Sequence, residues 1–222
     1  MRTKLFCVVV LICMGCMLLL TGCVVHFNGG NAGSTFDYED AETYTVGGGP
    51  ADAAVKNLEI EWLSGKVNVT VSENDAILLE ETANKELPDD LIMRWKQDGD
   101  TLRVKYCNAG TWKTNGLEKE LNVTIPEGLE LDVLEIETVS ADISAPRIKA
   151  DAVDCEIGTV SGHVTLAVPG RSDFAVRYDT VSGEIESDIS LKKDSDEFIC
   201  GSGNYTFRID TTSGSLMILE NK

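Results

Sequence analysis

A ten-residue phrase recurs five times in this chain, and no other feature narrows the accessible folds as much. Aligned on a serine, the copies run Leu58-Glu-Ile-Glu-Trp-Leu-Ser64-Gly-Lys-Val67, Leu134-Glu-Ile-Glu-Thr-Val-Ser140-Ala-Asp-Ile143, Cys155-Glu-Ile-Gly-Thr-Val-Ser161-Gly-His-Val164, Val176-Arg-Tyr-Asp-Thr-Val-Ser182-Gly-Glu-Ile185 and Phe207-Arg-Ile-Asp-Thr-Thr-Ser213-Gly-Ser-Leu216. The serines at 140, 161 and 182 stand 21 residues apart, the fifth follows after 31, and the first precedes the second by 76. Self-similarity at a near-constant period marks a repeat architecture, in which a unit buries its apolar side chains only by stacking on its neighbours. A period of 21 suits one turn of a β-solenoid.

Columns of the alignment alternate with the period 2 of strands rather than the 3.6 of helices. Six places before the serine stand Leu58, Leu134, Cys155, Val176 and Phe207, and four before stand Ile60, Ile136, Ile157, Tyr178 and Ile209. With the residues three after it (Val67, Ile143, Val164, Ile185, Leu216), these form the expected inward set. The columns five before and two after the serine are charged or polar and are expected to face water. The pairs Ser64-Gly65, Ser140-Ala141, Ser161-Gly162, Ser182-Gly183 and Ser213-Gly214 read as bends, with Gly where a larger side chain would not fit. A serine at each bend can hydrogen-bond to the next coil and satisfy groups that a corner leaves unpaired.

The repeated T-V-S-G-x-[VI] phrase on an acidic, strand-rich chain resembles the toastrack family of β-strand repeats, which carries an adhesin label. The resemblance spans about Ala54 to Glu220. It implies a right-handed β-solenoid and brings no catalytic residues. The expected fold is therefore an all-β, single-domain β-solenoid over residues 51–222, with stacked coils of about 21 residues.

Ahead of it, residues 1–22 read as an export signal: Arg2 and Lys4, then an apolar run from Leu5 to Leu20. Leu20-Thr21-Gly22-Cys23 resembles the bacterial lipobox, which implies that Cys23 is lipidated and becomes the first mature residue. Acyl chains contribute about 0.8 kcal/mol per buried methylene, so two or more hold a protein on a membrane. Residues 23–50 are rich in Gly, Asn, Ser and acidic residues and read as a flexible tether, with one short strand near Tyr44 to Val46.

Between the first two copies, strands are expected at Ala76 to Thr82, Leu91 to Gln97, Thr101 to Cys107 and Glu120 to Ile125, with a tight turn at Asp98-Gly99-Asp100. They fit either a β-meander or degenerate coils. At the other end the chain stops just after Leu216-Met217-Ile218-Leu219. Stacked in sequence order, that strand would be a bare apolar edge that needs a cover, from the 31-residue interval or from a partner. Met217 is expected to face outward.

Loss of the signal leaves 17 basic against 37 acidic residues, a net charge of −20. That field repels nucleic-acid phosphates and anionic headgroups and favours cationic partners, with weak divalent-cation binding compatible with it. Cys107, Cys155 and Cys200 are an odd set that excludes a full disulfide framework, and Cys155 sits in an inward column. His26 lies in the tether and His163 in a mixed polar column, which leaves no metal-ligand spacing and no acid–base constellation. No catalytic residue, cofactor or metal site is assigned. The expectation is a non-enzymatic, lipid-anchored extracytoplasmic scaffold that contacts protein partners of the cell envelope. The alternatives are an adhesin for glycan or matrix, with Trp112 as a contact, and a carbohydrate-active β-helix in which Asp179 lies beside Asp210 and Arg177 beside Arg208.

Overall fold

The computed structural model describes residues 43–52, 54–108, 116–146, 154–169 and 173–221. Cys23, the expected export signal, His26 and Trp112 lie outside these residues. Glu39–Lys222 form one compact unit.

Within it the strands are β1 (Thr45–Val46), β2 (Gly49–Ala51), β3 (Asn57–Ser72), β4 (Ile77–Ala83), β5 (Arg94–Asp98), β6 (Thr101–Lys105), β7 (Lys119–Pro126) and β8 (Val133–Pro146). The second half supplies β9 (Asp154–Thr159), β10 (Val164–Pro169), β11 (Phe174–Thr180), β12 (Ile185–Ser187), β13 (Lys192–Asp194), β14 (Glu197–Cys200), β15 (Tyr205–Thr211) and β16 (Leu216–Asn221). The fold is all-β, as the period-2 columns require. In the first two copies the strand runs unbroken through the serine, as β3 and β8. In the other three the Ser-Gly pair separates β9 from β10, β11 from β12 and β15 from β16.

The half of each copy before the serine joins one sheet face, in the order β1-β5-β6-β3-β8-β9-β15-β11-β14-β13. The half after it joins a second face, in which β2, β4, β7, β3, β8, β10, β16 and β12 follow one another. All motif strands are parallel and in motif register: Leu58 pairs with Leu134, Leu134 with Cys155, Cys155 with Phe207 and Phe207 with Val176. The inward columns of both faces merge in one core, where Leu58, Leu134, Cys155, Phe207 and Val164 are fully buried.

This register corrects the expected stacking order. The fifth copy does not follow the fourth at the end of the stack; it lies between the third and the fourth. β15 is flanked by β9 and β11, and β16 by β10 and β12. Only the step from the second copy to the third joins neighbours 21 residues apart. The third and fourth copies share that period but stand two strand spacings apart, with the C-terminal coil in the slot. Leu216-Met217-Ile218-Leu219 is therefore a central strand and not a bare edge. Met217 does face outward, 41% exposed.

Both ends of the first face are closed by antiparallel strands. At one end β5 runs antiparallel to β6 and pairs with β1; at the other β14 runs antiparallel to β11 and pairs with β13. The region before the second copy is one degenerate coil, since β6 and β7 are parallel to the two halves of β3, and β4 and β5 flank it antiparallel. The segment Gly47 to Pro50 was expected in the tether but is paired, with β2 against β4. Gly48 serves close approach rather than flexibility, since a Cβ there would lie 2.3 Å from Leu79 O, and Trp95 Nε1 donates to Gly47 O at 2.9 Å.

Candidate interaction surface

The bends form a ladder of repeated polar contacts. Ser140 Oγ donates to Leu63 O, Ser161 Oγ to Val139 O, Ser213 Oγ to Val160 O and Ser182 Oγ to Thr212 O, at 3.4–3.5 Å. Each acceptor is the residue before the serine of the adjacent coil. Behind them Thr138, Thr159 and Thr211, two before the serine, are buried, and Thr180 holds the same position at the exposed end of the row. Thr138 Oγ1 donates to Thr159 Oγ1 at 2.8 Å and Thr211 Oγ1 to Thr180 Oγ1 at 2.9 Å. Thr159 and Thr180 in turn accept the amides of Gly162 and Gly183. Threonine hydroxyls thus complete the backbone bonding that the corner interrupts.

Glycine follows the serine because the neighbouring coil's carbonyl occupies the place of a side chain. A Cβ would lie 1.8 Å from Ala141 O at Gly162, 1.9 Å from Gly162 O at Gly214 and 1.9 Å from Gly214 O at Gly183. At Gly65 the reason is doubled, by Lys119 O at 2.0 Å and by φ = +96°.

The column two after the serine faces water as expected, and three of its side chains also bond the next coil. Asp142 Oδ1 accepts the backbone amide of His163 at 3.0 Å, His163 Nδ1 that of Ser215 at 3.4 Å, and Ser215 Oγ that of Glu184 at 3.3 Å. Asp, His and Ser side by side are no catalytic triad here. The ring nitrogen facing Ser215 accepts a hydrogen bond from its backbone amide rather than from its hydroxyl, and Asp142 bonds the backbone of His163 rather than its ring. A shallow depression of about 120 Å³ lies over this column, lined by His163, Glu184, Glu186, Ser215 and Met217 among others.

On the outer side of the first face, Glu59, Glu135 and Glu156 are stacked across β3, β8 and β9, and Glu61 lies beside Glu137. Arg103 Nε pairs with Glu59 at 2.8 Å at one end of the row, and Arg208 Nη1 with Asp154 at 2.7 Å toward the other. Half-burial and like-charged neighbours hold protons on this ladder. Burial, opposed by Lys105 and reinforced by Glu137, pushes Glu61 up to about 8. Burial, with Glu137 and Glu59, pushes Glu135 up to about 7. Glu137 is raised by burial and by Glu156. Asp179 does sit beside Asp210, and Arg177 beside Arg208. Arg177 is drawn to Asp179 at 3.3 Å, and among the described residues no group of three or more His, Cys, Asp or Glu side chains is arranged to hold a metal ion.

Between the acidic ladder and the bends runs an apolar ridge that sequence reasoning missed. It consists of the residues just before the serines: in spatial order Leu63, Val139, Val160, Thr212 and Val181. The first four are half-buried and Val181 is 65% exposed. The signal was present in the motif. An apolar residue at an outward position, next to an inward threonine, inverts the alternation of the rest of the strand.

Two further polar sites are structural. Lys119 is fully buried where the degenerate coil meets the first bend. Its Nζ pairs with Glu81 at 2.5 Å, donates to Leu91 O at 2.7 Å and to Tyr106 O, and lies over the rings of Trp62 and Tyr106. Burial pushes this ammonium down, and Glu81 opposes the shift. At the opposite end the Asp173 carboxylate sits in the turn before β15. It accepts Gly203 N at 2.6 Å and Asn204 Nδ2 at 2.9 Å together with the amide and hydroxyl of Ser202, and these bonds lower its pKa. Cys107, Cys155 and Cys200 are not joined by disulfides.

The family model Toastrack DUF4097 matches residues 55–158, which hold the first two copies and the start of the third. The crystal structure of a "putative cell adhesion protein" from Clostridium sporogenes superposes on 80% of this chain and 100% of its own, with a TM-score of 0.59 at 10% identity. The fold is toastrack-like. No curated protein matches the chain. At that identity the structural likeness carries the architecture alone. The chain is an all-β repeat protein of toastrack-like architecture.

Proposed function

We propose that the chain is a lipid-anchored, extracytoplasmic module of the bacterial cell envelope, held to a membrane through Cys23 and acting by protein contact along its repeat surface. The observation that carries the contact role is the outward apolar ridge beside bends whose serines and threonines are bonded coil to coil. Support for the anchor comes from the sequence: a basic start, an apolar run and Leu20-Thr21-Gly22-Cys23. A direct adhesive role toward glycan or matrix is the second reading, favoured by the adhesion name of the Clostridium sporogenes protein.

Expression in a bacterial host with a clickable fatty acid tests the anchor. The wild-type chain is expected to take up the label and to begin at residue 23, and Cys23→Ala is expected to take up none. An unlabelled wild-type chain, or a labelled variant beginning at residue 23, contradicts the reading.

A further inference from the structure

The ridge and the acidic ladder lie side by side along the stack, and together they define the chemistry of a complementary surface. Ridge rows repeat at the strand spacing, ~4.8 Å, so the five residues from Leu63 to Val181 extend over ~19 Å. Two residues earlier on the same strands stand Glu61, Glu137, Gly158, Asp210 and Asp179, so the flank is acidic in four of five rows. No Lys or Arg occupies that column within the motif copies. Two of its neighbouring pairs, Glu61 with Glu137 and Asp210 with Asp179, set carboxyl groups side by side in a parallel ladder; Lys105 lies beside Glu61 and Arg177 pairs with Asp179 at 3.3 Å, so the flank is compensated at its two ends. A basic counterpart would extend that compensation to the middle of the flank, where Glu137 and Asp210 stand.

The spacing also selects the shape of the counterpart. A strand laid along the stack would place same-face side chains ~6.8 Å apart and lose register with rows ~4.8 Å apart within two steps. An α-helix places apolar residues at i, i+4, i+7 and i+11 about 5.4 Å apart, a drift of only ~0.6 Å per row. About 13 residues of helix cover the ridge.

We propose that the ridge Leu63-Val139-Val160-Thr212-Val181 docks an amphipathic, basic α-helix of a protein partner, lying along the stack with its apolar stripe on the ridge and its Lys or Arg side chains over the Glu61 to Asp179 flank. This rests on the interaction-module reading and names the partner's chemistry. Apolar contact sets the register, and the flank supplies a salt-sensitive attraction that raises the association rate. Anionic lipid and nucleic acid are disfavoured by the same flank.

The test uses the full chain in phosphatidylcholine nanodiscs, with empty discs as baseline, and an 18-residue Leu/Lys helix labelled for fluorescence anisotropy. A scrambled peptide of the same composition keeps the charge and removes the apolar stripe. The helix is expected to bind about tenfold tighter than the scramble. Val139→Ser with Val160→Ser should cost about tenfold, and Glu137→Gln with Asp210→Asn should weaken binding and flatten its salt dependence. Glu184→Gln with Glu186→Gln removes equal charge on the other face and should change nothing. Equal binding of helix and scramble, or equal losses from the two charge-removing pairs, would mean that bulk negative charge alone attracts the peptide and would overturn the proposal. These outcomes are independent of Cys23, so failure of the anchor and failure of the ridge are told apart.

Discussion

At Gly183 a single methyl group meets the neighbouring coil's backbone. An added Cβ would lie 1.9 Å from Gly214 O, 2.2 Å from Tyr178 Oη and 2.8 Å from Thr180 Oγ1. Tyr178 Oη donates to Gly214 O at 2.6 Å and Thr180 Oγ1 accepts the Gly183 amide, so neither partner yields without losing a bond. Gly183→Val is expected to destabilise by about 3 kcal/mol or more, through clash and through opened bonds. Glu184→Ala, one residue on, removes an exposed side chain and is expected to stay within about 0.5 kcal/mol. Denaturant melts of the two variants check this, and equal midpoints would contradict it. The sequence announces a tight place at this column but not its cause. Among the bend glycines only Gly65 combines close approach with a positive φ, whereas Gly162, Gly183 and Gly214 are required by a carbonyl that arrives from a different copy. Ala141, the departure from glycine, supplies the carbonyl that approaches Gly162.

Strand by strand, alternation made the elements legible. The four runs expected between the first two copies correspond to β4, β5, β6 and β7 within a few residues, because one face of each is apolar. What alternation hides is the outward side, where composition decides nothing until register sets neighbours together. Registered side by side, β3 and β8 put Glu59, Glu61, Glu135 and Glu137 in one half-buried patch. With Glu61 at about 8 and Glu135 at about 7, both lie above the ordinary carboxylate value of about 4.3. The folded chain therefore binds more protons than the unfolded chain between those limits. Stability from these groups is fully present below about pH 4.5 and is lost as pH rises through 7 to 8. Asp173 acts in the opposite sense, since its lowered pKa gives stability above the ordinary aspartate range that is lost as pH falls through the folded value. The melting temperature is expected to be higher near pH 5 than near pH 8, and Glu61→Gln should reduce that slope. A profile flat from pH 5 to 8, or one rising with pH, would contradict the assignment.

For the whole molecule, the order of the copies is the feature that could not be read from the chain. Every copy presents the same inward columns at the same register, so any copy can stack on any other with equal burial. The 21-residue period reports which segments resemble one another and is silent on which become neighbours. The 31-residue interval carried a hint. It supplies β13 and β14, which cover the outer edge of β11, and the extra length lets the chain return to the slot between β9 and β11. The C-terminal coil then ties two parts of the stack together, and the ridge and the acidic flank become continuous only once Thr212 and Asp210 are in place. The interleaved order is the central claim, and paired cysteines on the second face test it most directly. Thr165 and Met217 are register partners on adjacent strands, ~4.8 Å apart at the backbone and within disulfide reach, whereas Thr165 and Glu186 are separated by β16 at about twice that distance. Under mild oxidation Thr165→Cys with Met217→Cys is expected to form an intramolecular disulfide, seen as a mass loss of about 2 Da and faster migration on non-reducing gels, and Thr165→Cys with Glu186→Cys is expected to remain reduced. A disulfide in the 165/186 pair and none in the 165/217 pair would place the copies in sequence order and contradict the account.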